Sequence, residues 1–197
     1  MRCSPGVPHF ETAPVRSFSL GPSHESLQDM TLKLILMRHA KSDWNNPDLE
    51  DFERPLNQRG TEAAKLIGQW LAAKNILPEC VLCSSATRTR ETCRIVTGQL
   101  CLSANVHFSD RLYLASAETM FQSLSLCSRS SPAMLIAPTP GTAILAHILA
   151  KHPAPHPRFS DYPTAATTII DFESDNWSEI SAGTGKIVDF VVPRELK

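Results

Sequence analysis

An apolar run, Leu34-Ile-Leu-Met37, breaks off into Arg38-His39-Ala-Lys-Ser-Asp-Trp-Asn45, and this abrupt change constrains the chain more than any other stretch. Four apolar residues in a row read as a strand buried on both faces, as in a parallel sheet, although a run this short could also be buried helix. Open α/β sheets bind ligands beyond the carboxyl ends of their strands, which is where Arg38 and His39 fall. A guanidinium fork can hold two oxygens of one anion and stays charged, while a neutral imidazole nitrogen can attack the atom those oxygens surround.

Apolar strands then alternate with amphipathic helices, the pattern of an α/β domain. A helix is predicted over Thr61 to Lys74, where Ala63, Ala64, Ile67, Trp70 and Leu71 recur at helical spacing and Thr61 or Asn57 can cap the start. A strand at Val81 to Ser84 leads to a helix at Thr87 to Leu100, a short strand at Val106 to Phe108 to a helix at Ser116 to Leu126. Ala133 to Ala137 is a strand entering the turn Pro138-Thr-Pro-Gly141, and Thr142 to Lys151 is helical. Thr167 to Phe172 and Lys186 to Val191 are the last strands, joined by a turn with Gly183 and Gly185.

Residues 30–197 suit one domain, and a hydrophobic content of 42% supplies one substantial core. Residues 1–29 hold four prolines and several serines without periodicity and are expected to be disordered; Met30, just before the first strand, is an alternative start. A net charge of -1 argues against a nucleic-acid binder. No apolar stretch suits a secretory signal or a membrane span, and a transit peptide fits poorly, so a cytoplasmic location is expected. The six cysteines lack metal-ligand spacing and are read as thiols in a reducing compartment. Cys80 and Cys83, three apart on a strand, are expected to point to opposite faces. His152 and His156 lie in a Pro-rich loop read as solvated, and Trp44 and Trp177 either flank the pocket or pack, with packing the preferred role for both.

The segment Arg38 to Asn45 resembles the Arg-His-Gly signature of the histidine phosphatase superfamily, with Ala40 in place of glycine as in its small SixA-type phosphohistidine phosphatases. Three more blocks look like the same branch: Asp51-Phe-Glu-Arg-Pro-Leu-Asn-Gln-Arg-Gly60, Cys83-Ser-Ser-Ala-Thr-Arg-Thr-Arg-Glu-Thr92, and the end from Tyr162-Pro-Thr-Ala to Val188-Asp-Phe-Val-Val-Pro-Arg-Glu-Leu196. The resemblance implies a phosphoglycerate mutase-like fold, a three-layer sandwich with a mostly parallel sheet and helices on both faces. It implies that His39 is phosphorylated in turnover, that Arg38 and Arg88 hold the phosphoryl group, and that neither cofactor nor metal takes part. Ser42 and Asn45 match pocket-lining positions, and Arg54 and Arg59 can extend the clamp; loop hydrogen bonding and surface solvation are the competing roles for these four. For Arg88, the alternative is an exposed helix arginine.

The family's second histidine, in a Gly-His-Asn-Pro-Gly turn, is replaced here by Pro138, which has no polar side chain and no backbone N–H. Losing one preorganised donor costs on the order of 10²–10³ in rate, so residual activity is expected. His107, His147, His152 and His156 do not match the motif. The first substrate implied is a phosphorylated protein histidine, since an imidazole leaves protonated and neutral and makes little demand on an enzyme acid; Asp110 and Glu118 are weak candidates for one. A small phosphate ester, with phosphomonoesterase or mutase activity, is the first alternative, and a phosphate-binding pseudoenzyme the second. Oligomeric state is not legible.

Overall fold

The computed structural model describes residues 31–101 and 105–197, so the expectation for residues 1–29 lies outside the described residues. Strands β1 (Thr31–Arg38), β2 (Cys80–Ser84), β3 (Asn105–Ser109), β4 (Ala133–Ala137), β5 (Thr167–Glu173) and β6 (Lys186–Val191) form one sheet in the order β3-β2-β4-β1-β5-β6. The pairs β3/β2, β2/β4 and β4/β1 are parallel, whereas β5 runs antiparallel to both β1 and β6. Pairing of Arg38 with Ala137 brings the ends of β1 and β4 side by side, so His39 meets the turn that begins at Pro138.

Side chains alternate across each strand. Leu32, Leu34 and Leu36 enter one core with residues of α3 (Ala117–Ser123) and α4 (Gly141–Leu149). Ile35 and Met37 enter the other with Ala64, Ile67 and Leu71 of α1 (Gln58–Ala73) and Cys93 and Val96 of α2 (Thr87–Leu100). Helices on both faces of a mixed sheet make the α/β sandwich that alternating strands and helices predict.

The differences from expectation are local. β1 begins three residues before the apolar run because Lys33, half-buried, is neutralised by an ion pair with Asp171 on β5. α1 begins at Gln58, its start set by Asn57, whose side chain accepts the Gly60 N–H at 2.8 Å. The helix expected through Leu126 stops at Ser123 and tightens into a 3-10 turn at Leu124–Leu126.

Cys80 and Cys83 do face opposite cores. Reading every cysteine as a thiol needs correction, because Cys80 is joined to Cys127 in a disulfide. The fold brings the two to a Cα–Cα distance of 5.7 Å across a separation of 47 residues, a proximity that spacing alone does not reveal. Cys83 and Cys93 are buried free thiols, and Cys101 is exposed.

Candidate active site

The carboxyl ends of β1 and β4, the start of α2 and the loop between β1 and α1 enclose a cavity of about 350 Å³. Arg38, His39, Ser42, Asp51, Arg88, Pro138 and Thr164 are among its lining residues. A larger concavity, about 840 Å³, opens at the other end of the sheet beside Thr31 and Phe172; His152, Lys151 and Lys186 line it with Asp171 and Glu173, and none of the residues of the arginine-histidine motif does. The residues of the arginine-histidine motif line the smaller one.

His39 follows directly on the last residue of β1 and is held by its backbone: its N–H donates to the Ala137 carbonyl at 3.3 Å and its carbonyl accepts from Ala165 at 3.0 Å. Its ring orientation follows from its partners. Nδ1 lies 2.7 Å from the Ala40 carbonyl oxygen, which can only accept, so Nδ1 carries the proton. Nε2 lies 3.2 Å from Arg88 Nε, which can only donate, so Nε2 presents its lone pair.

Burial pushes the imidazole pKa down to about 4; the bond to Ala40 opposes this, and the charges of Arg88 and Arg38 lower it further. His39 is therefore neutral at ordinary pH, as a nitrogen nucleophile must be. Burial, and then the neighbouring Arg88 charge, draw Arg38 below the usual guanidinium range, yet an arginine keeps its charge in proteins. One Arg38 Nη donates to the Tyr162 carbonyl at 3.0 Å.

Arg88, second residue of α2, is buried, which settles its alternative as an exposed helix arginine. The structure brings together four of the residues singled out from sequence: Arg38, His39, Ser42 and Arg88. Arg54 lies outside the lining, stacked 4.2 Å over Trp44, which is itself 62% exposed and at the cavity. Trp44 thus flanks the cavity rather than packing inside, whereas Trp177 is buried as expected. Asn45 and Arg59 are exposed and outside the lining; the Asn45 N–H turns back on Asp43.

Pro138 is buried on the cavity wall, and its carbonyl accepts the Thr142 hydroxyl at 2.9 Å. His107, His147, His152 and His156 do not line this cavity: His147 stacks on Phe159 and His156 pairs with Glu195. Asp110 and Glu118 are also elsewhere, engaged by Ser85 and Gln122.

Two residues at the site escaped the sequence reading. The Thr92 hydroxyl accepts the Ala40 N–H at 3.0 Å and donates to the Arg88 carbonyl at 2.7 Å, tying the His39 loop to α2. Asp51 bonds to Arg88 through both its backbone carbonyl and its carboxylate, the latter at 2.8 Å, and the Tyr113 hydroxyl donates to the same carboxylate oxygen at 2.8 Å. Partial burial alone would raise the Asp51 carboxyl, but the bonds from Tyr113 and Arg88 and the Arg88 charge bring it below the usual carboxylate range. Both residues stand inside the motif blocks, so position along the chain marked them; their partners came only with the fold.

A neutral histidine beside two arginines at the end of a strand is an arrangement that can hold an anion and attack it. The profile of the histidine phosphatase superfamily (branch 1) matches residues 34–113. A Mycobacterium tuberculosis protein, uncharacterized, is 34% identical over 165 residues, covering 80% of this chain and all of that one. An uncharacterized chloroplastic protein of Arabidopsis thaliana is 39% identical over 111 residues, 54% of this chain; the chain spans about half that relative's length, the match covering 49% of it. Among solved structures, the protein histidine phosphatase SixA complexed with tungstate has the same fold, with a TM-score of 0.68 at 20% identity over 84% of this chain and 100% of that one. The chain belongs to the histidine phosphatase superfamily, and its fold is that of the SixA structures.

Proposed function

We propose that this protein is a phosphohistidine phosphatase working through a phosphorylated His39, acting as one domain from residue 30 onward. The observation that carries the reading is the His39 lone pair at Nε2, directed at Arg88, with the ring proton held on the Ala40 carbonyl. In the first step Nε2 attacks the phosphorus; the bond from phosphorus to the substrate nitrogen breaks, its electron pair stays on that nitrogen, and the departing imidazole is neutral because its other ring nitrogen already carries a proton. In the second, water attacks the phosphorus, the bond to Nε2 breaks, and inorganic phosphate departs. Arg38 and Arg88 neutralise the phosphoryl oxygens as charge spreads over them. Ser42 lines the same cavity, while Arg54, Asn45 and Arg59 would meet only the more distant parts of a large substrate.

A protein-borne phosphohistidine suits the cavity better than a small ester for two reasons. The described acid at the cavity, Asp51, sits below the usual carboxylate range and is a poor proton donor to an alkoxide. The rim carries Trp44 and Leu114, both more than 60% exposed, which a flat protein surface can cover.

Rates on a phosphohistidine protein, a sugar phosphate and phosphoglycerate, for this protein and for Pro138→His, test the reading. Preference for the phosphohistidine protein supports it, with a gain of about 10²–10³ for Pro138→His if the lost donor limits the rate. Preference for the esters supports a phosphomonoesterase or mutase. No turnover by either protein, with phosphate still bound, supports a pseudoenzyme.

A cytoplasmic location belongs to the same reading, and the Cys80–Cys127 disulfide weighs against it, since a reducing cytosol keeps such pairs as thiols. Alkylation in denaturant at lysis, which exposes these two buried cysteines, should modify both, and a Cys80–Cys127 disulfide that survives it would contradict that location. Among the described residues, no helix is long and apolar enough to cross a membrane.

A further inference from the structure

Each of the three nitrogens of Arg88 donates within the protein, Nε to His39, one Nη to the Asp51 carbonyl and the other Nη to the Asp51 carboxylate, which leaves one N–H on each Nη. Its side chain is only 5% exposed, so little of the guanidinium is free to receive a ligand, whereas the Asp51 side chain is 44% exposed and lines the same cavity. A carboxylate lining an anion site is out of keeping with the site's purpose, because two anions sharing one guanidinium repel each other.

We infer that Asp51 is a built-in competitor for Arg88, an internal anion that a phosphoryl group must displace, and so a residue that sets which anions the site accepts. The inference rests on the phosphoryl-site reading above and deepens it. A doubly charged tetrahedral oxyanion, which also meets Arg38, gains more from the two guanidinium groups than a single carboxylate does and wins the exchange. A singly charged anion gains no more than Asp51 already has, and is turned away.

The displaced carboxylate has somewhere to go. Tyr113 donates to the same oxygen that Arg88 holds, and the ring of Tyr113 is itself braced edge-on by Phe52 at a centroid distance of 4.9 Å. Arg54 is near enough for its charge to act on Asp51. Asp51 can therefore turn outward, toward solvent, while keeping a hydrogen bond and a neighbouring cation.

Isothermal calorimetry with inorganic tungstate, on the wild-type protein, Asp51→Asn and Asp51→Glu, tests this at equilibrium and needs no turnover. Asp51→Asn removes the competing charge and keeps the shape, so its tungstate Kd should fall by about tenfold. Asp51→Glu restores the charge and should return the Kd toward the wild-type value. An unchanged or weaker affinity in Asp51→Asn overturns the inference, since a carboxylate that merely positions Arg88 would help the anion bind.

A second measurement needs no variant: the 13C resonance of the Asp51 carboxyl in the wild-type protein should shift when tungstate saturates the site, and a fixed resonance overturns the exchange. If wild-type protein binds no tungstate, the phosphoryl-site reading fails and takes this inference with it. If it binds while Asp51→Asn binds no tighter, the site reading stands and only the role given to Asp51 falls.

Discussion

Arg88 donates its Nε–H to Nε2 of His39 across 3.2 Å, on the face of the imidazole opposite the proton held by Ala40. The contact holds the Nε2 edge of the ring beside a cation, and it must be released for the lone pair to attack phosphorus. A lysine at this position keeps the charge but has neither the Nε donor nor the planar fork. Arg88→Lys should lower kcat by about 10²–10³ with the fold intact, as checked by steady-state rates beside circular dichroism; a loss of less than threefold would mean that charge alone suffices.

Acid should destabilise the protein through the same imidazole. Burial holds His39 at about 4 in the folded state against an ordinary value of 6.5, so between those pH values the unfolded chain binds a proton that the folded chain does not. Stability therefore falls as pH drops from 6.5 toward 4, at about 1.4 kcal/mol per pH unit where the difference is complete. Above 6.5 both states are neutral and the effect is absent. Asp51, held below its ordinary value, adds a loss of the same sign at still lower pH, as its carboxylate is protonated. Urea unfolding between pH 4 and pH 7, compared with His39→Gln, checks the histidine's share: the variant should show a shallower fall.

Thr92 couples two parts of the site through one buried hydroxyl. Thr92→Val keeps the shape and leaves the Ala40 N–H without its partner, so stability should drop by about 1–3 kcal/mol and turnover should fall with it. Denaturant midpoints and rates measured on the same preparation check both; a neutral variant would show that the His39 loop is held by its backbone bonds alone.

How far the sequence carried the fold and the site depends on whether each feature is local. Apolar runs marked β2 and β4 to within a residue, and helical spacing marked α2 to its ends, because a strand or helix buried in a sandwich writes its period into its own residues. The apolar run marked only the middle of β1, and Lys33 ahead of it is accommodated in the strand by Asp171 from a segment 138 residues away. The arginine-glycine end of the second motif block was misleading in a similar way. Arg59 is exposed and outside the cavity lining, while Gly60 is needed because a Cβ there would lie 2.1 Å from the Lys41 carbonyl oxygen, so α1 could not pack under the loop after His39. His39, Arg38 and Arg88 were legible from the types and order of the motifs. Asp51 was not: a carboxylate looks wrong for an anion pocket until its bond to Arg88 is seen.

The most direct measurement is a rapid acid-free quench of the protein with a 32P-labelled phosphohistidine substrate, followed by peptide mapping. A covalent phosphate that is stable in alkali, labile in acid, located on His39 and missing from His39→Asn is the predicted result. Label on any other residue, or turnover that persists undiminished in His39→Asn, would contradict the nucleophile on which the mechanism depends.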